Sequence, residues 1–230
     1  MEFAIKEQGM NSFDELKEYQ RSQRLQWNKS ISLRIHRALS WLNKAEQERN
    51  RNDLDGEFIA LWIAFNAAYA NNYADEIRAN ERQTFQQFIE RLVNYDTEKE
   101  LYNIIWQHYP AAIRSFMDNR YVFQPFWDAI NGRTAADSWE EPFSAAKRRA
   151  HKALANQETA VSLSILLERM YTLRNQLIHG GATYAGSLNR EQLNNACGIL
   201  GSIVPVVIKL MMLNATDVWA DASYFDLTNL

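Results

Sequence analysis

Hydrophobic residues recur along this chain at helical spacing, and no alternating strand pattern of useful length interrupts them. Residues 31–48 place Ile31, Ile35, Leu39 and Leu42 on one stripe of a helix, with Arg34, Arg37, Lys44 and Glu48 on the other face. A second helix is predicted over 55–73, where Phe58, Leu61, Trp62, Phe65 and Tyr69 share a face and Asp53 or Asp55 supplies the N-cap. A third spans 159–179 and stops at Gly180-Gly181, residues suited to a left-handed cap. A fourth begins near Ser187, carries Asn189, Arg190 and Glu191 in its first turn, and continues to about Asn214 with a kink expected at Pro205.

Between the second and third helices, residues 75–157 are rich in aromatic and charged side chains. Shorter helices are predicted there at 81–94, 97–107, 110–118 and 141–155, broken near Pro110, Pro125, Asn131-Gly132 and Pro142. The expected layout is all-α. A polar N-terminal arm over 1–28, with a weak helix at 12–26, precedes a four-helix bundle formed by 29–74 and 158–215. A helical insertion at 75–157 separates the second and third core helices, and 216–230 forms a tail.

Composition narrows the function classes. Hydrophobic residues make up 47% and charged residues 23% of 230 positions, which excludes a disordered or collagen-like chain. The net charge of −3 argues against a duplex-coating protein and limits any nucleic-acid contact to a small footprint. The single cysteine, Cys197, lies in an apolar stretch and reads as a small buried hydrophobe. Residues 198–215 approach the minimum membrane-spanning length, but Pro205 and Lys209 inside the run favour a buried helix of a soluble bundle. No signal peptide is visible, and a cytoplasmic chain is expected.

Motifs for zinc, dinucleotides and phosphate loops are absent, and His36, His108, His151 and His179 are scattered, so no metal or cofactor is expected. One local string carries chemistry: Arg174-Asn175-Gln176-Leu177-Ile178-His179-Gly180-Gly181. On a wheel of about 100° per residue from Leu163, the apolar stripe of Leu163, Leu166, Leu167, Met170, Leu173 and Leu177 has Arg174 near its centre. A guanidinium there needs either a paired acid or an interface. Asn175 and His179 stack on the polar side with Glu168. From the residues alone two readings stand. Arg174 is an ion-pair partner of Glu57 or Glu168 with His179 bonding the last carbonyls, or the string is a site.

The string resembles the Arg-x4-His signature of HEPN domains, with the Asn that many members carry after the Arg. The resemblance covers about 30–74 and 158–215, including the apolar helix Leu61-Trp62-Ile63-Ala64-Phe65-Asn66-Ala67-Ala68-Tyr69 and the Gly-containing loop before the last helix. It implies an all-α bundle that forms a symmetric homodimer and, in active members, cleaves RNA without metal. The implied catalytic residues are Arg174, Asn175 and His179. Asn66, Glu168, Gly180 and Gly181 are supporting candidates, and Lys147, Arg148 and Arg149, beside His151 and Lys152, are candidates for steering RNA. Family toxins are held in check by partner proteins, some through a Tyr two positions after the His; here that position is Gly181, and the first Tyr is Tyr184. The alternative is a non-catalytic HEPN-like module that binds a protein partner or a nucleotide.

Overall fold

In the computed structural model, residues 10–69, 78–187, 189–217 and 219 are described, 78–82 by backbone alone, and every regular element among them is helical. The chain divides into two compact units, with boundaries at Thr97/Glu98 and Ile199/Leu200.

The first unit starts with α1 (Phe13–Gln23), opened by a capping box in which Ser12 and Glu15 satisfy each other's backbone N–H groups. It packs on α2 (Lys29–Asn50) and buries Leu16 and Gln20, so this part of the expected arm belongs to the packed unit. Asn28 caps α2, its Oδ1 accepting from the Ile31 N–H at 2.9 Å. Asn52 then adopts a left-handed φ of 58°, and Asp53 Oδ1 accepts the Gly56 N–H at 2.9 Å to start α3 (Leu54–Tyr69). A Cβ at Gly56 would stand 2.9 Å from Asp53 and 3.1 Å from Glu48, so the tight turn requires glycine. Asp53, one of the two expected caps, is the cap.

The helices α2 and α3 run antiparallel, as the Arg49–Glu57 pair near the turn and the Arg34–Ala68 contact at the far end show. Arg34 and Glu48 correct the expected solvent face of α2, for both are buried. Arg34 Nη1 donates to the Ala68 carbonyl at 2.7 Å, filling one of the acceptors that the end of α3 leaves open. Glu48 takes ion pairs from Lys44 and from Arg51, the latter at 3.0 Å. A stripe read from one helix does not reveal that its neighbour's terminus needs a donor.

Phe58, Leu61, Trp62 and Phe65 are buried as the spacing predicts. The next helix, α4 (Arg78–Tyr95), sets Phe85 and Phe88 against Phe65 and Tyr69 with ring centroids 5.0–6.3 Å apart. This first part of the expected insertion therefore shares the aromatic core of the first unit. Its Phe85, Phe88, Ile89 and Leu92 form a helical stripe that needs a packed partner.

The second unit begins with α5 (Glu100–Asn103), which passes into a π-helical turn at Ile104–His108 and then α6 (Pro110–Asp118). A 3₁₀ turn (Arg120–Val122), α7 (Gln124–Ile130), α8 (Glu140–Ala155) and α9 (Thr159–Ile178) follow. Pro110, Pro125 and Pro142 sit in the first turns of α6, α7 and α8, where a missing N–H costs no helical bond. The prolines thus start helices, and α7 went unpredicted because seven residues are too few to show a stripe. α9 is the hub: α6, α8, the 3₁₀ turn and the π turn all pack against it.

The last helix, α10 (Arg190–Leu213), contains the second boundary, continues through Pro205 and buries Cys197. It is long and apolar enough to cross a membrane, and 78% of its most apolar stretch is buried inside the protein.

Phe58→Ala should lower the unfolding free energy by about 3–5 kcal/mol through loss of packed ring and cavity formation. Leu25→Ala, at a side chain 92% exposed, should stay within about 0.5 kcal/mol in the same urea titration.

Candidate functional site

Burial divides α9 unevenly around its axis. Leu163, Leu166, Leu167, Met170 and Leu173 are buried as expected, and so are Ser162, Ile165, Arg169 and Thr172 on the flank that the wheel had left polar. What stays open is a strip of about 80°, on which Tyr171, Asn175, Glu168 and His179 follow one another. Of these Tyr171, Glu168 and His179 are exposed and Asn175 is half-buried.

Arg174 is half-buried, one turn before α9 ends, between the buried Leu173 and the exposed Ile178. Its Nη1 donates to Asn175 Oδ1 at 3.0 Å, and its guanidinium lies 6.0 Å from the centroid of the Tyr171 ring. Among the described residues it has no acid partner, and its Nε has none of any kind. Glu57, one of the two acids that the sequence offered as a partner, is engaged by Arg49 at 2.8 Å. Asn175 therefore steadies the Arg side chain rather than the imidazole. Its own carbonyl takes the His179 N–H at 3.0 Å.

His179 is the C-cap residue, and its imidazole is exposed with no hydrogen bond among the described residues. Gly180 follows at φ 71°, with its N–H on the Leu177 carbonyl at 3.2 Å and the Gly181 N–H on the Gln176 carbonyl at 2.7 Å. These two bonds form a Schellman cap, which satisfies the last carbonyls from the backbone and leaves the imidazole unoccupied. A Cβ at Gly181 would come within 3.0 Å of the Gln176 carbonyl oxygen. Gln176 braces the surroundings, donating to the Tyr121 carbonyl at 2.5 Å and accepting from Asn189 Nδ2 at 2.7 Å. Tyr171 and Ile178 on this part of α9, and Tyr184 five residues after His179, form an apolar rim of exposed side chains, the last of them 73% exposed.

The other predicted residues lie elsewhere. Lys147 and His151 both hold Asp118 Oδ1, at 3.0 and 2.9 Å, while Arg148, Arg149 and Lys152 are exposed. Burial works against the Asp118 charge, but the hydrogen bonds and charges of His151 and Lys147 outweigh it and hold the carboxyl below its ordinary pKa. Asn66 is half-buried in the last turn of α3 in the first unit. Among the described residues no three His, Cys, Asp or Glu side chains converge as metal ligands.

Arg169 escaped the sequence reading. It is 3% exposed, and its guanidinium is flanked by the rings of Phe123 at 4.5 Å and Phe143 at 5.6 Å. Burial lowers its pKa, with Glu168 partly opposing the shift. The buried cation of α9 is thus Arg169 and not Arg174. Nothing in the local spacing signals this, because its partners come from α7's leading residue and from α8.

Arg174→Ala should change stability by less than about 1 kcal/mol, since no buried ion pair is broken. Gly180→Ala should cost about 1–2 kcal/mol because of its left-handed backbone; thermal melts of the two variants check both values. The Asp118 contribution is present above the unfolded carboxyl pKa of about 4 and is lost as pH falls toward the lower folded value. The melting-temperature advantage of wild type over Asp118→Asn should accordingly be seen at about pH 6 and vanish near about pH 2. Comparison of the chain with protein-family models, curated proteins and solved structures finds no match, so its functional reading rests on these residues and their geometry.

Proposed function

We propose that the chain is a HEPN-type endoribonuclease that cleaves RNA without metal and acts in toxin–antitoxin, phage-defence or stress biology in the cytoplasm. The observation that carries this reading is the end of α9. There, an arginine without an acid partner and an imidazole without a hydrogen bond among the described residues stand five positions apart at the end of the helix.

The chemistry asks little more of the protein. A ribose 2′-hydroxyl attacks the adjacent phosphorus, and the bond from phosphorus to the 5′-oxygen breaks. His179 takes the proton from the 2′-oxygen or delivers one to the departing 5′-oxygen. Arg174 stabilises the charge gathering on the phosphoryl oxygens, with Asn175 fixing its orientation. The products are a 2′,3′-cyclic phosphate and a 5′-hydroxyl. Two copies meeting about a two-fold axis would supply a pair of histidines, and the apolar rim of Tyr171, Ile178 and Tyr184 suits coverage by that second copy. Arg148 and Arg149 are exposed and available to an RNA backbone. The same rim favours a second reading, a non-catalytic module whose motif end docks a regulatory protein.

RNA cleavage in excess EDTA by the wild-type chain should disappear in both Arg174→Ala and His179→Ala and weaken in Asn175→Ala. Fragments should end in cyclic phosphate. Intact RNA with the wild-type chain at dimer-forming concentration would leave the docking module as the better account.

A further inference from the structure

The second unit holds a cleft of about 280 Å³ at the α8–α9 junction, lined in part by Ile105, Trp106, Pro110, Arg114, His151 and Gln157. The motif is at the far end of α9, and a helix of that length spans about 30 Å, so this is a separate place. We propose that the cleft binds a small phosphomonoester carried on a planar ring. This inference does not depend on the ribonuclease reading.

The lining selects both halves of such a ligand. Trp106 is presented by the π-helical turn, a deviation that recurs at functional sites. Its Nε1–H donates to the Leu154 carbonyl at 3.2 Å, and its ring stacks on Tyr102 at 4.7 Å. With its donor used, the indole offers the cleft only its apolar surface, which suits a planar ring. Arg114, His151 and Gln157 supply the polar side, and no carboxylate lines the cleft.

The neighbouring acids are engaged: Asp118 with His151 and Lys147, and Glu158 with Asn156 Nδ2 at 3.0 Å. Three of the last four carbonyls of α8 also have donors. The carbonyls of Lys152, Ala153 and Leu154 accept the N–H groups of Asn156, Glu158 and Gln157. The fork of N–H donors on Arg114, beside the Gln157 amide, favours the several oxygens of a phosphomonoester over a single carboxylate. Gln157 adds an independent sign. It holds a left-handed φ of 57° at a helix end where glycine fits without strain, and it places a long amide side chain in the cleft wall. The volume matches one small ligand at the lower end of usual pocket sizes.

The test is calorimetric titration of the full chain with phenyl phosphate, inorganic phosphate, benzoate and adenosine monophosphate. Phenyl phosphate should bind about tenfold tighter than either phosphate or benzoate. Arg114→Ala should weaken it by about tenfold or more. Gln157→Gly should weaken it while the melting temperature stays level or rises, which a merely structural glutamine would not do. The His179→Ala chain, which keeps RNA intact, separates the sources. A 5′-phosphorylated oligonucleotide bound more tightly than the mononucleotide, and than its 5′-hydroxyl form, assigns the cleft to RNA ends. The reverse order assigns it to free small molecules. No saturation by phenyl phosphate or adenosine monophosphate up to about 10 mM would overturn the proposal. So would benzoate binding equally well, binding unchanged in Arg114→Ala, or binding lost in His179→Ala, which would place the ligand at the motif.

Discussion

Burial of α9 on most of its circumference is the constraint from which the second unit follows. A helix enclosed by α6, α8 and two short turns bears a desolvation cost for each polar group it carries inward. Arg169 is the hardest case, a guanidinium 3% exposed that makes no direct ion pair among the described residues. Its solution is aromatic. The rings of Phe123 and Phe143, whose centroids are 5.3 Å apart, form a pair beside the cation and give it a favourable quadrupole at a smaller desolvation cost than a buried ion pair carries. The short elements between α6 and α8 therefore have a purpose that their weak helical signal conceals, for they bring Phe123 to α9, where it joins Phe143 of α8.

The same enclosure decides where chemistry is available. Through most of α9 the buried flanks leave only a narrow open strip, and the side chains of Arg174 and His179 become accessible where the enclosing elements give out. The Schellman cap matters here because the backbone satisfies the terminal carbonyls by itself. An imidazole that would otherwise serve as a local cap is left for other work. At the opposite end of α9, the α8 terminus is closed by the same kind of backbone bonding, with Gln157 in the position that Gly180 occupies at the motif.

The first unit meets a comparable demand by a different route. Arg34 is as buried as Arg169, but its guanidinium reaches the Ala68 carbonyl at the end of α3, where a donor and a positive charge are both favourable. Glu57 and Glu48 are held by arginines and a lysine that reach solvent, so neither carboxylate is stranded. Arg34, Glu48, Glu57 and Arg169 are thus met at a helix end, by surface cations or by rings.

By itself the sequence determined what depends on nearest neighbours along the chain: the all-α class, the positions of the long helices, an aspartate cap at 53 or 55 and the Gly180 stop. Those features arise from periodicity and from backbone chemistry within a turn or two, and Phe58, Leu61, Leu166 and Leu173 are buried where their spacing put them. The local order Arg174, Asn175, His179 was equally legible, since a helix fixes which of its own side chains are neighbours. Only the tertiary structure decided that Arg169 rather than Arg174 is enclosed, that Arg34 faces inward, and that Phe85 and Phe88 complete the core beside Phe65. It also decided that His151, Arg114 and Trp106 border one cleft. The physical reason is common to all of these. Each depends on what a second element brings to the contact, and a wheel drawn for one helix contains no information about the partner that will cover it.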